Sequence, residues 1–131
     1  MQKVSIDTRI YNRPSYKELN SKIKQAKNAA LGNRISILKP ASVAADALEL
    51  GFLVKDVLNI LSDILKEITP DDYVGQHPPQ RSYESDILES ELFSFKWASK
   101  RLGCKTYLKY AIKEKRMWLV SLHKDQNDKG D

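Results

Sequence analysis

The spacing of apolar residues changes once along this chain, and that change limits the folds open to it. Up to about residue 66, apolar side chains recur three and four positions apart; beyond about residue 92 they recur at every second position. A polar loop, Gln76 to Asp86, with Pro78 and Pro79 in it, separates the two regimes. Helices first and strands afterwards is the α+β pattern, in which helices cover one face of an antiparallel sheet. With 131 residues the chain has room for one domain, 1–131, large enough to fold around its own core.

The helical half divides at its caps. Ser15 with Glu18 three residues later has the form of a capping box, and Leu19, Ile23, Ala26 and Ala30 follow on one face up to Gly32. Ser42 is placed to cap a second helix that Gly51 ends. A third, from about Phe52 to Lys66, carries the stripe Val54, Val57, Leu58, Leu61, Ile64 and Leu65. These spacings predict helices over about 15–31, 42–50 and 53–66. Thr69-Pro70-Asp71-Asp72 opens a short further turn that Gly75 cuts. Residues 1–14 form an arm, with a strand possible over 4–11, and Arg34 to Lys39 is an extended stretch closed by Pro40. The strands fall at about 88–98, 104–113 and 117–123, and a polar tail, 124–131, is expected to fray.

The middle strand shows what the sheet presents. If Leu108, Tyr110 and Ile112 pack inward, Lys105, Tyr107, Lys109 and Lys113 face outward together. Lys96 lies on the neighbouring strand. A tyrosine among lysines supplies phosphate contacts and a flat ring for an unstacked base. The plainer alternative is a strand kept soluble by its lysines. The excess of 22 Lys and Arg over 17 Asp and Glu, a net charge of +5, favours a polyanionic partner in the same way.

Absences narrow the chemistry. The chain has no Gly-rich phosphate loop, no Gly-x-Ser-x-Gly elbow and no paired-cysteine zinc spacing. Its two histidines, His77 and His123, are too far apart in sequence for a helical metal pair, so neither metal nor other cofactor is expected. The single cysteine, Cys104, cannot form an internal disulfide. No apolar run approaches the roughly 20 residues of a membrane span, and the first residues lack the apolar stretch of a secretory signal. The expected setting is the cytoplasm, with no membrane partner. A metal-free enzyme built from His, Tyr, Arg and Lys suits RNA cleavage by the substrate's own 2′-hydroxyl. That reaction asks the protein for a proton acceptor, a proton donor and positive charge.

Several segments also resemble a known family. Ala45-Asp46-Ala47-Leu48-Glu49-Leu50-Gly51-Phe52, leading into Val57-Leu58-Asn59-Ile60-Leu61, is similar to the corresponding stretch of MqsR-type toxins. These are RelE-like mRNA interferases of bacterial toxin–antitoxin pairs. The similarity continues in Ile68-Thr69-Pro70-Asp71-Asp72-Tyr73, Thr106-Tyr107-Leu108-Lys109 and Leu119-Val120-Ser121-Leu122-His123-Lys124, and spans roughly residues 16 to 124 in order. It implies a RelE-like fold, endoribonuclease cleavage of mRNA, growth arrest and neutralisation by a cognate antitoxin protein, with the ribosome as a further partner.

The family's strand tyrosine falls on Tyr107 and its basic residue near the chain end on His123. Its lysine after the Asp-Phe-Tyr motif has no counterpart, because Val74-Gly75 follow Tyr73, and its Trp-Gln-Asp-Val-Tyr motif is not found in Leu88 to Phe95. By residue type, His77 and Arg81 are the local replacements. Catalysis is therefore expected of His123, Tyr107, His77 and Arg81, and RNA contact of Lys105, Lys109, Lys96 and Lys113. The alternative is a non-catalytic basic module that binds RNA or a protein.

Overall fold

In the computed structural model, residues 12–125 are described. The arm or strand expected before residue 12 and the tail beyond 125 lie outside them. The chain is α+β: three helices pack against a four-stranded mixed sheet. Helix α1 spans Tyr16–Leu31 and starts where its cap predicts, with Ser15 Oγ accepting the Glu18 N–H at 3.0 Å. Only that half of the capping box forms. The Glu18 carboxylate pairs instead with Arg13, which also holds Glu91 at 3.0 Å. Leu19, Ile23, Ala26, Ala29 and Ala30 are the buried face. Lys22 is partly buried and sets its ammonium 5.5 Å from the Phe93 ring centre.

Helix α2, Pro40–Leu50, begins two residues before the expected Ser42 cap, because the fixed φ of Pro40 suits the first helical position. Gly51 ends it at φ +93°, where a side chain would be strained. A 3₁₀ turn over Val54–Asp56 leads into α3, Val57–Ile64, so the expected third helix is split. Val57, Ile60, Leu61 and Ile64 face the core, whereas Leu58, expected in the stripe, is exposed. The Pro70–Asp72 segment is one 3₁₀ turn, closed by Asp72 Oδ2 accepting the Thr69 N–H at 2.9 Å.

The strands are β1 (Ile35–Ile37), β2 (Phe93–Ser99), β3 (Cys104–Lys113) and β4 (Arg116–Lys124), in the order β1-β4-β3-β2. The C-terminal three form the expected antiparallel meander. The sheet as a whole is not purely antiparallel, because β1 joins the outer edge of β4 in parallel, Ile35 opposite Met117 and Ile37 opposite Leu119. The extended stretch after α1 thus pairs backbone groups that an open edge would leave to solvent: Met117 N–H donates to Arg34 O and Leu38 N–H to Leu119 O, both at 2.9 Å.

Alternation then sorts the side chains. Phe93, Phe95 and Trp97 of β2, Leu108 and Tyr110 of β3, and Met117, Leu119 and Leu122 of β4 join the helices in one core. The buried Tyr110 hydroxyl donates to the Lys22 carbonyl of α1 at 3.1 Å, fixing the helix to the sheet. Cys104, at the start of β3, is only partly buried. The opposite face is open over part of its length only. Residues 80–92 fold across the rest as a strap, tied by Leu92 N–H to Gln80 O at 2.8 Å and Ser82 N–H to Ser90 O at 2.9 Å. Its Ile87 and Leu92 make a second apolar cluster with Ala111, backed by Leu38, Trp118 and Val120. This is why β2 begins at Phe93 and not at 88: the residues before it are drawn away to cover Ala111.

Glu67, just after α3, anchors the far end of β2. Its carboxylate accepts from Trp97 Nε1 at 2.8 Å, Ser99 Oγ at 2.7 Å and the Arg101 N–H at 2.8 Å. Burial pushes this carboxyl up, but the hydrogen bonds from Trp97, Ser99 and the backbone outweigh it and hold it below the ordinary value of 4.5. Glu67→Ala leaves buried donors without their acceptor and is expected to destabilise the fold by about 1–3 kcal/mol in denaturant titrations. Because the folded carboxyl is the stronger acid, the unfolded chain takes up the proton first as pH falls. The stabilisation is present above about pH 4.5 and is lost as pH drops through the lower folded value. Melting temperatures from pH 7 to pH 3 should therefore fall less steeply in Glu67→Gln than in the wild type; parallel curves would contradict this role.

Candidate functional site

The open part of the sheet is built from rows that cross the strands. Lys96, Tyr107 and His123 form one row, Ser94, Lys109 and Ser121 the next, and Ala98 with Lys105 the row on the other side. All lie on the face away from the helices, as the alternation of β3 predicts. Tyr107 and His123 are partly buried and stack on each other, ring centres 4.9 Å apart and planes at 23°. Tyr107 Oη donates to Ser94 Oγ at 3.1 Å, which fixes the ring from the β2 side. His123 Nδ1 lies 2.9 Å from the Lys124 carbonyl oxygen. A carbonyl only accepts, so Nδ1 carries the hydrogen, and in the neutral ring Nε2 keeps the free lone pair.

The bulge beside this pair comes from β4. Lys109 pairs with Ser121, but its neighbour Tyr110 pairs with Leu119, so Val120 is an extra residue. The extra residue lets Leu119 and Leu122 both point into the core while His123 and Ser121 stay on the open face. Without it, one end of β4 would be turned inside out.

The lysines are not equivalent. Lys109 and Lys105 are partly buried on the open face. Lys96 is held by Asp125, 3.5 Å away, whose backbone N–H continues the ladder to Lys105 O at 2.9 Å. Lys113 is six residues beyond Tyr107, roughly 20 Å along an extended strand, and donates to the Asp86 carbonyl of the strap at 2.8 Å. The structure brings Lys96, Lys105 and Lys109 to the pair and does not bring Lys113 there.

The loop residues also part company. His77 is exposed, donates from Nδ1 to Arg13 O at 3.1 Å and meets the edge of Tyr73, ring centres 5.3 Å apart. The Tyr73 hydroxyl is pushed up to about 12 by burial, with Glu91 and Glu18 adding to it, so it stays protonated at neutral pH. Arg81 pairs with Glu89 at 3.6 Å, while Glu84 pairs with Lys39 at 3.3 Å. Two cavities lie along this face, and Tyr107 lines the first of them. One, of about 230 Å³, is lined by Tyr107, Lys109, Ser94, Gly75, Gln76 and Gln80 among others. The second, of about 400 Å³, runs between the strap and α2 and is lined by Arg81 and Lys109. Arg81 therefore shares a cavity with Lys109, and His77 lines neither. A Cβ at Gly75 would sit 2.5 Å from Tyr73 Oη, so any side chain there would displace the Tyr73 ring.

Sequence reasoning missed Ser94, Asp125 and Gln80 as neighbours of the pair. The period-two pattern places Ser94 on the outward face, so it was recoverable; Asp125 and Gln80 sit outside regular pattern and carried no signal. Among the described residues, no group of three or more His, Cys, Asp or Glu side chains is placed to hold a metal ion, and no helix is long and apolar enough to cross a membrane.

Fold and site together define an α+β protein with a helix-covered sheet face and a basic, Tyr–His-bearing open face. No protein-family model matches the sequence, and no curated protein matches it.

Proposed function

We propose that this chain is a metal-independent endoribonuclease of the mRNA interferase type, RelE-like in fold, acting in the cytoplasm and neutralised by a cognate antitoxin. The observation that carries this reading is the stacked Tyr107–His123 pair, set among Lys96, Lys105 and Lys109 on a sheet face that the helices leave open. The antitoxin, growth arrest and the ribosome as a partner rest on the sequence resemblance.

In this reading Lys105 and Lys109 seat the RNA backbone. His123 Nε2 accepts the proton of the ribose 2′-hydroxyl as that oxygen bonds to the adjacent phosphorus. The bond from phosphorus to the 5′ oxygen breaks, and that oxygen takes a proton from Tyr107 Oη, or from His77 if the 77–81 loop closes over the substrate. Lys109 and Arg81 offset the charge on the non-bridging oxygens. The products are a 2′,3′-cyclic phosphate and a 5′-hydroxyl.

The test is cleavage of purified mRNA with end-group analysis. Activity is expected to persist in excess chelator and to leave the cyclic phosphate. Activity lost to chelator and restored by magnesium overturns the mechanism. A wild type that binds RNA without cutting it leaves the non-catalytic module.

A further inference from the structure

The cavity lined by Tyr107 adjoins the one between the strap and α2, sharing Gln80, Leu92 and Lys109 with it, and the second is a groove along the strap. Its walls are the strap on one side and the start of α2 on the other, and its floor is Lys109, Ser121 and the bulged Val120. Tyr83 stands on its rim with 87% of its surface exposed, and its ring contacts no other ring among the described residues. The side-chain amides of Gln76 and Gln80 make no hydrogen bond among the described residues, so each keeps a donor and an acceptor free. Lys39, Arg81 and Lys109 outnumber the acids Asp46 and Glu84 there. Two of these cations are held only by exposed ion pairs, Lys39 with Glu84 and Arg81 with Glu89, and such pairs exchange readily for a phosphate. The strap itself is preformed, locked by its backbone ladder and by the fully buried Ile87.

We propose that this groove is a track for single-stranded RNA, in which Tyr83 stacks a base and Gln80 selects adenine. The inference rests on the ribonuclease reading and adds to it where the substrate runs and what is recognised. Lys109 is two residues from Tyr107, about 7 Å along an antiparallel strand. RNA with its reacting phosphate at the Tyr107–His123 pair thus passes its next phosphate over Lys109 and into the groove. An unpaired ring held in water beside cations is what base stacking in single-stranded recognition uses. A glutamine amide offers the donor and acceptor that match N7 and the N6 amino group of adenine.

The experiment uses the full chain and a short fluorescent RNA methylated at every 2′-oxygen, which removes the nucleophile, with binding followed by anisotropy at fixed salt. Tyr83→Ala should weaken binding about 5- to 150-fold. Gln80→Ala should erase the preference for an adenine-containing oligomer over an all-uridine one. Tyr16→Ala, which removes an exposed tyrosine from α1, should leave binding unchanged. The inference falls if Tyr83→Ala and Gln80→Ala bind and cleave as the wild type does, and equally if they lose only a protein partner. In both cases wild-type cleavage keeps the ribonuclease reading standing. A wild type that neither binds nor cuts RNA removes both.

Discussion

Replacing His123 with alanine is expected to lower RNA cleavage by about 10²–10⁴-fold while leaving the fold and most RNA affinity intact. The first half follows from the ring's fixed tautomer: with Nδ1 donating to the Lys124 carbonyl, Nε2 is the atom free to take a proton. The second half follows from its place. His123 is partly buried on the open face and belongs to neither apolar cluster, so its removal opens no cavity in the core. Lys105 and Lys109, to which the proposal assigns the RNA backbone, are untouched. Cleavage of purified RNA, growth on induction in bacteria and a thermal melt together check this. A variant that cleaves at the wild-type rate would remove His123 from the chemistry. Tyr107→Phe is the companion measurement, because it keeps the stacked ring and deletes the hydroxyl that Ser94 now accepts from.

Truncating Phe95 to alanine is expected to cost about 3–5 kcal/mol of stability, a fall of roughly 10–20 °C in melting temperature for a domain of this size. Phe95 is fully buried. It stacks on Tyr110 with ring centres 5.9 Å apart and planes at 15°, and meets Tyr73 edge-on at 5.9 Å. It is also where two layers meet, since Tyr73 bridges to the Phe95 backbone and brings the 70–75 turn against the edge of β2. Its strand neighbours Ser94 and Lys96 point to the other face, so the same strand holds the core together and presents the site. Denaturant titration gives the number; a loss under about 1 kcal/mol would mean that the cavity collapses or that Tyr73 does not depend on it.

The sequence by itself determined those features that local chemistry decides. Ser15 and Gly51 mark helix ends because a side-chain oxygen or a left-handed backbone is needed at those places whatever surrounds them. The alternation from Cys104 to Lys113 determined which side chains go inward, because successive residues of a strand point to opposite faces. Tyr107, Lys105 and Lys109 were therefore legible as outward-facing, and His123 followed from the last strand. Only the tertiary structure decided which distant segments meet. The parallel docking of Ile35–Ile37 on β4, the strap that buries Ile87 against Ala111, and the extra residue Val120 all depend on partners far away in sequence. So do the pairings of Lys96 with Asp125 and Arg81 with Glu89. Pattern along a chain records which residues must leave water; which surface receives them depends on packing and on satisfying edge hydrogen bonds between remote segments, and one strand's spacing holds no information about that.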